Sequence, residues 1–243
     1  MPEISLLIPC LNEARYLSDL LVRIERVCVN ADLDVETIVL DDASEDNTLE
    51  VAKELRTIHR PLNIRVVHRF EPRHGFGALV RYGMAHATGR YCLLLAADGT
   101  HPIEDLPQYI AEARKGAQLV QCSRYERQED SVTIPDLFKT YQALYRAGVK
   151  GLLGWDVRDA TCSFRLVDRT FLLAVGIRSN NLSIVPEIAF KTYLLGGRIV
   201  FVPGSQGFHP KGISQFRFVR EATSYGYVLI RAALHKAGVL SWF

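Results

Sequence analysis

The segment Asp41-Asp42-Ala43-Ser44-Glu45-Asp46-Asn47-Thr48 sets several short carboxylates between an apolar-rich run, Val35 to Leu40, and a helical pattern, Asn47 to His59. Acidic side chains are thereby presented at the carboxyl end of a buried strand. In an open α/β sheet ligands bind at that rim, and carboxylates there can accept hydrogen bonds from the hydroxyls and ring nitrogens of a nucleoside. Spacing alone equally allows an acidic turn in which Asp46 or Asn47 caps the helix while Asp41 and Asp42 are solvated.

A second polar rim follows the first strand. Ile4 to Ile8 runs into Pro9-Cys10-Leu11-Asn12-Glu13 and then into a helix with apolar positions Leu17, Leu20, Leu21, Ile24 and Val27. Further along come Asp98-Gly99-Thr100-His101-Pro102 after the strand Tyr91 to Ala97, then Ser123-Arg124-Tyr125, then Asp159-Ala160-Thr161-Cys162-Ser163-Phe164-Arg165. In this order the segments resemble the family 2 glycosyltransferases of the dolichyl-phosphate mannosyltransferase-like branch, over roughly residues 4 to 215. The resemblance implies a GT-A fold, a Rossmann-like, mostly parallel α/β sheet flanked by helices. It divides a single domain, 1–243, into a nucleotide-sugar half (1–125), an acceptor half (126–215) and a basic C-terminal helix (216–243).

The resemblance also implies roles. Pro9, Asn12, Glu13, Asp41, Asp42 and Asp98 are expected at the nucleotide-sugar, with Gly75, Gly77 and Arg81 from a glycine-rich segment, His74 to Arg81, whose usual lysine is Phe76. In the family an Asp-x-Asp pair holds a divalent cation on the diphosphate, and hard oxygen ligands suit Mg2+ or Mn2+. Here the first Asp is Ala96, so Asp98 and the hydroxyl of Thr100 are the expected ligands and the metal is expected to bind weakly. Arg124 is expected on the leaving diphosphate, since a guanidinium makes two parallel hydrogen bonds to phosphate oxygens. Arg165 is expected on an acceptor phosphate; a surface salt bridge is its alternative. His209 to Gln215 resembles a family loop over the diphosphate whose arginine is His209 and whose lysine is Gln215, leaving Lys211 as the nearby cation.

A phosphate acceptor is already an anion and requires no base, whereas a hydroxyl acceptor does. No obvious base is present, and Asp159 and Thr161 fall in the acceptor-side segment, so the expected reaction is inverting transfer from GDP-mannose or a UDP-sugar to a polyprenyl or dolichyl phosphate. Two alternatives stay open. One is a sugar or other hydroxyl acceptor with Glu187 as base, a residue that also reads as a first-turn glutamate after Pro186. The other is a catalytically weakened homologue that binds a nucleotide-sugar or acts as a regulatory subunit.

The elements that must position these residues alternate strand and helix up to residue 122, the pattern of a parallel sheet covered on both faces. The expected strands are Ile4–Ile8, Val35–Leu40, Ile64–His68, Tyr91–Ala97 and Gln118–Cys122; the helices are Ala14–Cys28, Asn47–His59, Phe76–Ala87 and Ile103–Lys115. Beyond lie a helix near Leu137–Leu153, a strand near Cys162–Leu166, a helix near Val185–Leu195 and a strand near Ile199–Val202. At 243 residues, 48% apolar and 23% charged, disordered and fibrous classes are excluded. Five scattered cysteines without a CxxC pair read as reduced thiols, and no secretory leader or bilayer-length apolar run is seen, so a cytoplasmic protein is expected. Residues 209–243 carry five Lys or Arg against one acid, net +4 in a chain of +2. That tail could lie peripherally on an anionic membrane or contact a membrane subunit, or it could dock as an ordinary amphipathic helix. Basic residues are not interleaved with aromatics elsewhere, which argues against nucleic acid.

Overall fold

The computed structural model describes residues 1–69, 75–124, 126, 136–204 and 218–243. Its centre is a seven-stranded sheet of order β3-β2-β1-β4-β6-β5-β7. The strands are β1 (Ile4–Cys10), β2 (Val35–Asp41), β3 (Ile64–His68), β4 (Tyr91–Leu94), β5 (Leu119–Ser123), β6 (Arg165–Asp168) and β7 (Ile199–Pro203). β1 pairs in parallel with β2 and β4, β2 with β3, and β5 with β7. β6 runs antiparallel between β4 and β5. The carboxyl ends of the parallel strands share one edge, and β6 starts from that edge. The segment before β6 is therefore delivered to the same rim.

The helices are α1 (Ala14–Asn30), α2 (Thr48–Ile58), α3 (Phe76–His86), α4 (Leu106–Arg114), α5 (Asp136–Leu153), α6 (Arg169–Ala174), α7 (Ile184–Leu194) and α8 (Phe218–Lys236). Alternation along β1 divides the core, because successive side chains of a strand point to opposite faces. Ile4, Leu6 and Ile8 pack with α1, α2 and α4, whereas Leu7 packs with Leu79, Val80 and Met84 of α3 and Ile184 and Ile188 of α7. A third cluster joins Tyr145 and Val149 of α5, Phe190 of α7, Tyr225, Val228 and Leu229 of α8, and Trp242.

Several boundaries differ from the sequence pattern for identifiable reasons. β4 ends at Leu94, because after the Leu95 N–H bonds Leu7 O the next N–H, of Ala96, goes to the His101 ring. β6 begins only at Arg165, since the Asp159 carboxylate takes the N–H groups of Thr161 and Cys162 and holds that stretch in a turn. Ile103–Asp105 is a 3-10 turn leading into α4, and the unanticipated α6 is capped by Asp168, which accepts from Phe171 N–H. The basic tail takes the form of a docked amphipathic helix, one of its two expected forms. α8 docks on α5 and α7 through Tyr225, Val228, Leu229 and Ala232. Its Arg220 pairs with Glu221 at 3.0 Å and its Lys236 bonds Leu153 O, while Lys211 and Arg217 lie outside the described residues. Among the described residues no helix is long and apolar enough to cross a membrane, and all five cysteines are buried free thiols.

Candidate active site

The loops after β1 and β2 are tied together. Asn12, at φ 60°, donates its N–H to Ser44 Oγ, and its side-chain oxygen accepts from Glu45 N–H at 2.8 Å. Glu13 N–H donates to Thr48 Oγ1 and Ala14 N–H to Asp46 Oδ2. Asp46 rather than Asn47 caps the turn into α2, accepting from Thr48 N–H at 3.0 Å. The two loops thus form one rigid rim, on which Asn12 acts as a brace.

Asp41 and Asp42 are both buried, and the chain just after β3 closes on them. His68 Nδ1 lies 2.6 Å from Asp41 Oδ2, and Arg69 donates through Nε to Asp42 Oδ1 at 2.8 Å. Ser44 N–H also donates to Asp41 Oδ2, but Asp41 Oδ1 is buried with no hydrogen-bond partner among the described residues. A buried carboxylate oxygen left unsatisfied costs free energy, and a bound N–H or O–H donor would relieve it. Neither His68 nor Arg69 was singled out in the sequence. The signal was available: β3 pairs with β2 in parallel, so its end falls beside Asp41.

Asp98 sits on the turn after β4, and its Oδ1 accepts from both the N–H and the hydroxyl of Thr100, at 3.0 and 2.8 Å. The Thr100 hydroxyl thus orients Asp98, and because it spends only its proton on that bond, its oxygen lone pairs stay available to a cation. Across from them Glu13 is half-buried, and burial, then Asp98, then Asp46 push its carboxyl up to about 7. His101 Nδ1 accepts from Ala96 N–H at 2.9 Å, so the proton resides on Nε2, which donates to Ser163 Oγ at 3.2 Å. Burial lowers this ring to about 4, Asp98 partly offsets it, and Arg124 and Arg165 lower it further. The neutral His101 thereby links the turn after β4 to the segment before β6. Arg23 of α1 clamps the same turn through Gly99 O and His101 O. Neither His101 nor Arg23 was legible as part of the site.

Among the described residues no group of three or more His, Cys, Asp or Glu side chains is arranged to hold a metal ion. Asp98 and the Thr100 oxygen beside it still fit a cation such as Mg2+, which keeps several waters and takes its other oxygens from a substrate's phosphates.

The cations expected on phosphates have other partners. Arg124 donates to Asp159 Oδ2 at 2.7 Å and to Thr161 Oγ1 at 2.7 Å, and Asp159 is wholly buried. Burial alone would raise the Asp159 carboxyl, but Arg124 and the N–H groups of the turn outweigh it and hold it below the ordinary value. Arg165 corrects the expectation outright. It is 0% exposed, and its guanidinium donates to Cys162 O and Val185 O, so no face of it meets an acceptor phosphate. Burial lowers it to about 10. Glu187 is likewise buried; it pairs with Lys191 at 3.2 Å and accepts from the N–H groups of Arg178 and Ser179 at 3.0 and 2.8 Å. It staples the 178–183 loop and is not placed as a base.

The glycine-rich segment is corrected too. Gly77 N–H donates to Asn180 O, and a Cβ on Gly75 or Gly77 would lie 2.5 Å from Asn180 O or 2.3 Å from Ser179 O. Arg81 donates to Ser179 O and Asn180 Oδ1. These residues admit and brace the 178–183 loop instead of cradling a phosphate. His74, Tyr125, His209, Lys211 and Gln215 lie outside the described residues.

Comparisons with known proteins fit this geometry. Residues 5–176 match the family model described as glycosyl transferase family 2. An undecaprenyl-phosphate 4-deoxy-4-formamido-L-arabinose transferase of Pseudomonas fluorescens (strain Pf0-1) is 27% identical over 187 residues, 76% of this chain and 53% of that protein. The chain therefore spans about half the length of the curated relative it matches. Crystal structures of glucosyl-3-phosphoglycerate synthase from Mycobacterium tuberculosis align over 99% of the chain. One with Mn2+, uridine diphosphate and phosphoglyceric acid has a TM-score of 0.67 at 20% identity, covering 80% of that chain. Another, without ligands in its name, has 0.64 at 21%, covering 82%. The fold is the GT-A fold of these glycosyltransferases. With a mostly parallel sheet, linked polar rims after β1, β2 and β4, and a family match across most of its length, the chain belongs to glycosyltransferase family 2.

Proposed function

We propose that the chain transfers a sugar from a nucleoside-diphosphate sugar to a polyprenyl phosphate, with inversion at the anomeric carbon. The observation that carries the acceptor class is the engagement of Glu187. The carboxylate nominated as base for a hydroxyl acceptor is buried on Lys191 and two backbone N–H groups, and an acceptor phosphate needs no base. A phosphate oxygen attacks the anomeric carbon, the bond from that carbon to the diphosphate oxygen breaks, and the nucleoside diphosphate leaves with the electron pair. Asp41 Oδ1, with no hydrogen-bond partner among the described residues, supports a nucleoside at the rim, since it needs the kind of N–H or O–H donor that a base or ribose offers. The name of the undecaprenyl-phosphate relative supports the lipid acceptor, and the uridine diphosphate of the structural neighbour supports the donor class.

Asp98 would hold Mg2+ or Mn2+, whose chemistry when bound is to neutralise the leaving diphosphate. The remaining roles belong to the chain itself. Asn12, Thr48 and Asp46 hold the two rims in register, neutral His101 fixes the turn carrying Asp98, and the Arg124–Asp159 pair shapes the acceptor side. A GDP-sugar remains the alternative donor. Calorimetric titration with UDP, GDP and their sugars, with and without Mn2+, tests the donor, and mass detection of a glycosylated polyprenyl phosphate tests transfer. Binding of neither nucleotide, or transfer only to hydroxyl acceptors, would sink the reading.

A further inference from the structure

The 178–183 loop, braced on one side by Arg81, also walls a cavity of about 210 Å3 that α8 and Trp242 complete. At about 30 Å3 per water that is room for a small anionic group with a few carbons attached. Two arginines, Arg178 and Arg231, are among the residues that line it. Arg231 is held over the rings of Tyr227 and Trp242, at 5.8 and 5.9 Å from their centroids. Among the described residues neither guanidinium has a carboxylate partner; the contact Arg178 makes with Glu187 is through its backbone N–H. The carboxylate in the wall, Glu187, is already satisfied by Lys191 and the Arg178 and Ser179 N–H groups. Burial lowers the pKa of Lys191 and Glu187 partly restores it, while Arg178 and Arg231 press it down further, which marks a locally positive field. Two arginines, one of them oriented by the Tyr227 and Trp242 rings, in a cavity that also has the apolar walls of Val228 and Trp242, suit an anion carried on a carbon stem.

On the reading that the acceptor is a phosphate, we propose that this cavity binds a phosphate monoester, with Arg178 and Arg231 on its oxygens and Val228 and Trp242 against the first carbons of its stem. Two sources offer that chemistry, a prenyl phosphate and a soluble phosphorylated acid. The test is calorimetric titration of the full chain with farnesyl phosphate, 3-phosphoglycerate and inorganic phosphate, with UDP titrated separately. Arg178→Gln and Arg231→Gln should each weaken the preferred monoester about tenfold or more while leaving UDP affinity unchanged. Arg178 is exposed, so its variant keeps the fold intact even where Arg231→Gln disturbs α8. Farnesyl phosphate binding tighter than 3-phosphoglycerate supports a lipid source, and the reverse supports a soluble one within the same cavity. Absence of binding by any monoester, unchanged affinity in Arg178→Gln, or inorganic phosphate binding as tightly as either ester would overturn the assignment. Loss of UDP binding alone would count against the proposed transferase reaction and leave the cavity standing.

Discussion

Glu13→Gln should stabilise the protein, and only at the alkaline end. The Glu13 carboxyl is pushed up to about 7 from an ordinary 4.5 by burial, then by Asp98 and Asp46. Between 4.5 and 7 the folded state therefore binds a proton that the unfolded chain has released. Stability falls as pH rises through that window, and above it the folded protein carries the whole penalty. The difference corresponds to at most about 3.4 kcal/mol, and solvent screening of a half-buried group reduces the expectation to about 1–2 kcal/mol. For a chain of this length that is a rise in melting temperature of about 2–8 °C. Thermal melts of both proteins at pH 5 and pH 8 in low salt measure it. The gain should appear at pH 8 and nearly vanish at pH 5, and Asp98→Asn should reproduce part of it. An equal gain at both pH values, or a loss at pH 8, would refute the coupling of Glu13 to Asp98.

Ala96→Asp should tighten Mn2+ in the presence of UDP, because position 96 supplies no carboxylate oxygen; an unchanged calorimetric isotherm would show that it does not face the cation. Gly77→Ala drives a Cβ to 2.3 Å from Ser179 O and should cost about 2–3 kcal/mol, read as a lower urea midpoint; a wild-type midpoint would disprove the close approach. Asp159→Asn removes the buried negative charge paired with Arg124 and should cost about 3 kcal/mol at pH 7. Because the folded Asp159 carboxyl lies below its ordinary 3.8, that difference should shrink as pH falls below 3.8, and denaturation at pH 7 and pH 3 should register it. Any membrane contact should be peripheral and released by salt, since each basic residue near an anionic surface contributes about 1 kcal/mol within a screening length of ~8 Å. Equal co-sedimentation with neutral and anionic liposomes would exclude a charge-driven contact.

Strands β1 and β2 are legible in the sequence because strands buried on both faces read as apolar-rich runs ended by polar turns, and the half-buried edge strand β3 is legible from its β-branched Ile64, Val66 and Val67. Asp41, Asp42 and Asp98 are legible as rim residues for the same reason. What the sequence hides is pairing. Nothing local distinguishes an arginine bound for a phosphate from Arg165, whose guanidinium is taken up by Cys162 O three residues back and by Val185 O, which only the fold brings to it. Glu187 reads equally as a base or a first-turn glutamate until Lys191 and the 178–183 loop are seen around it. The glycines at 75 and 77 suggest a phosphate loop, yet their close neighbour is a backbone more than a hundred residues away. Hydrophobic periodicity predicted the amphipathic helix α8, but not which surface would cover its apolar side.

The antiparallel β6 has a consequence for how the chain can be divided. Because β6 separates β4 from β5, the first 125 residues do not make a continuous sheet among themselves. Cut there, β5 would lose both of its ladder partners, β6 and β7, and β4 would present an unpaired edge, the kind of feature that drives aggregation. The donor and acceptor halves are thus separable by what they are proposed to bind but not as folding units. Exchanging an acceptor half between relatives means transplanting two strands of the common sheet, and a chimera junction is better placed outside β6 than at the midpoint of the chain.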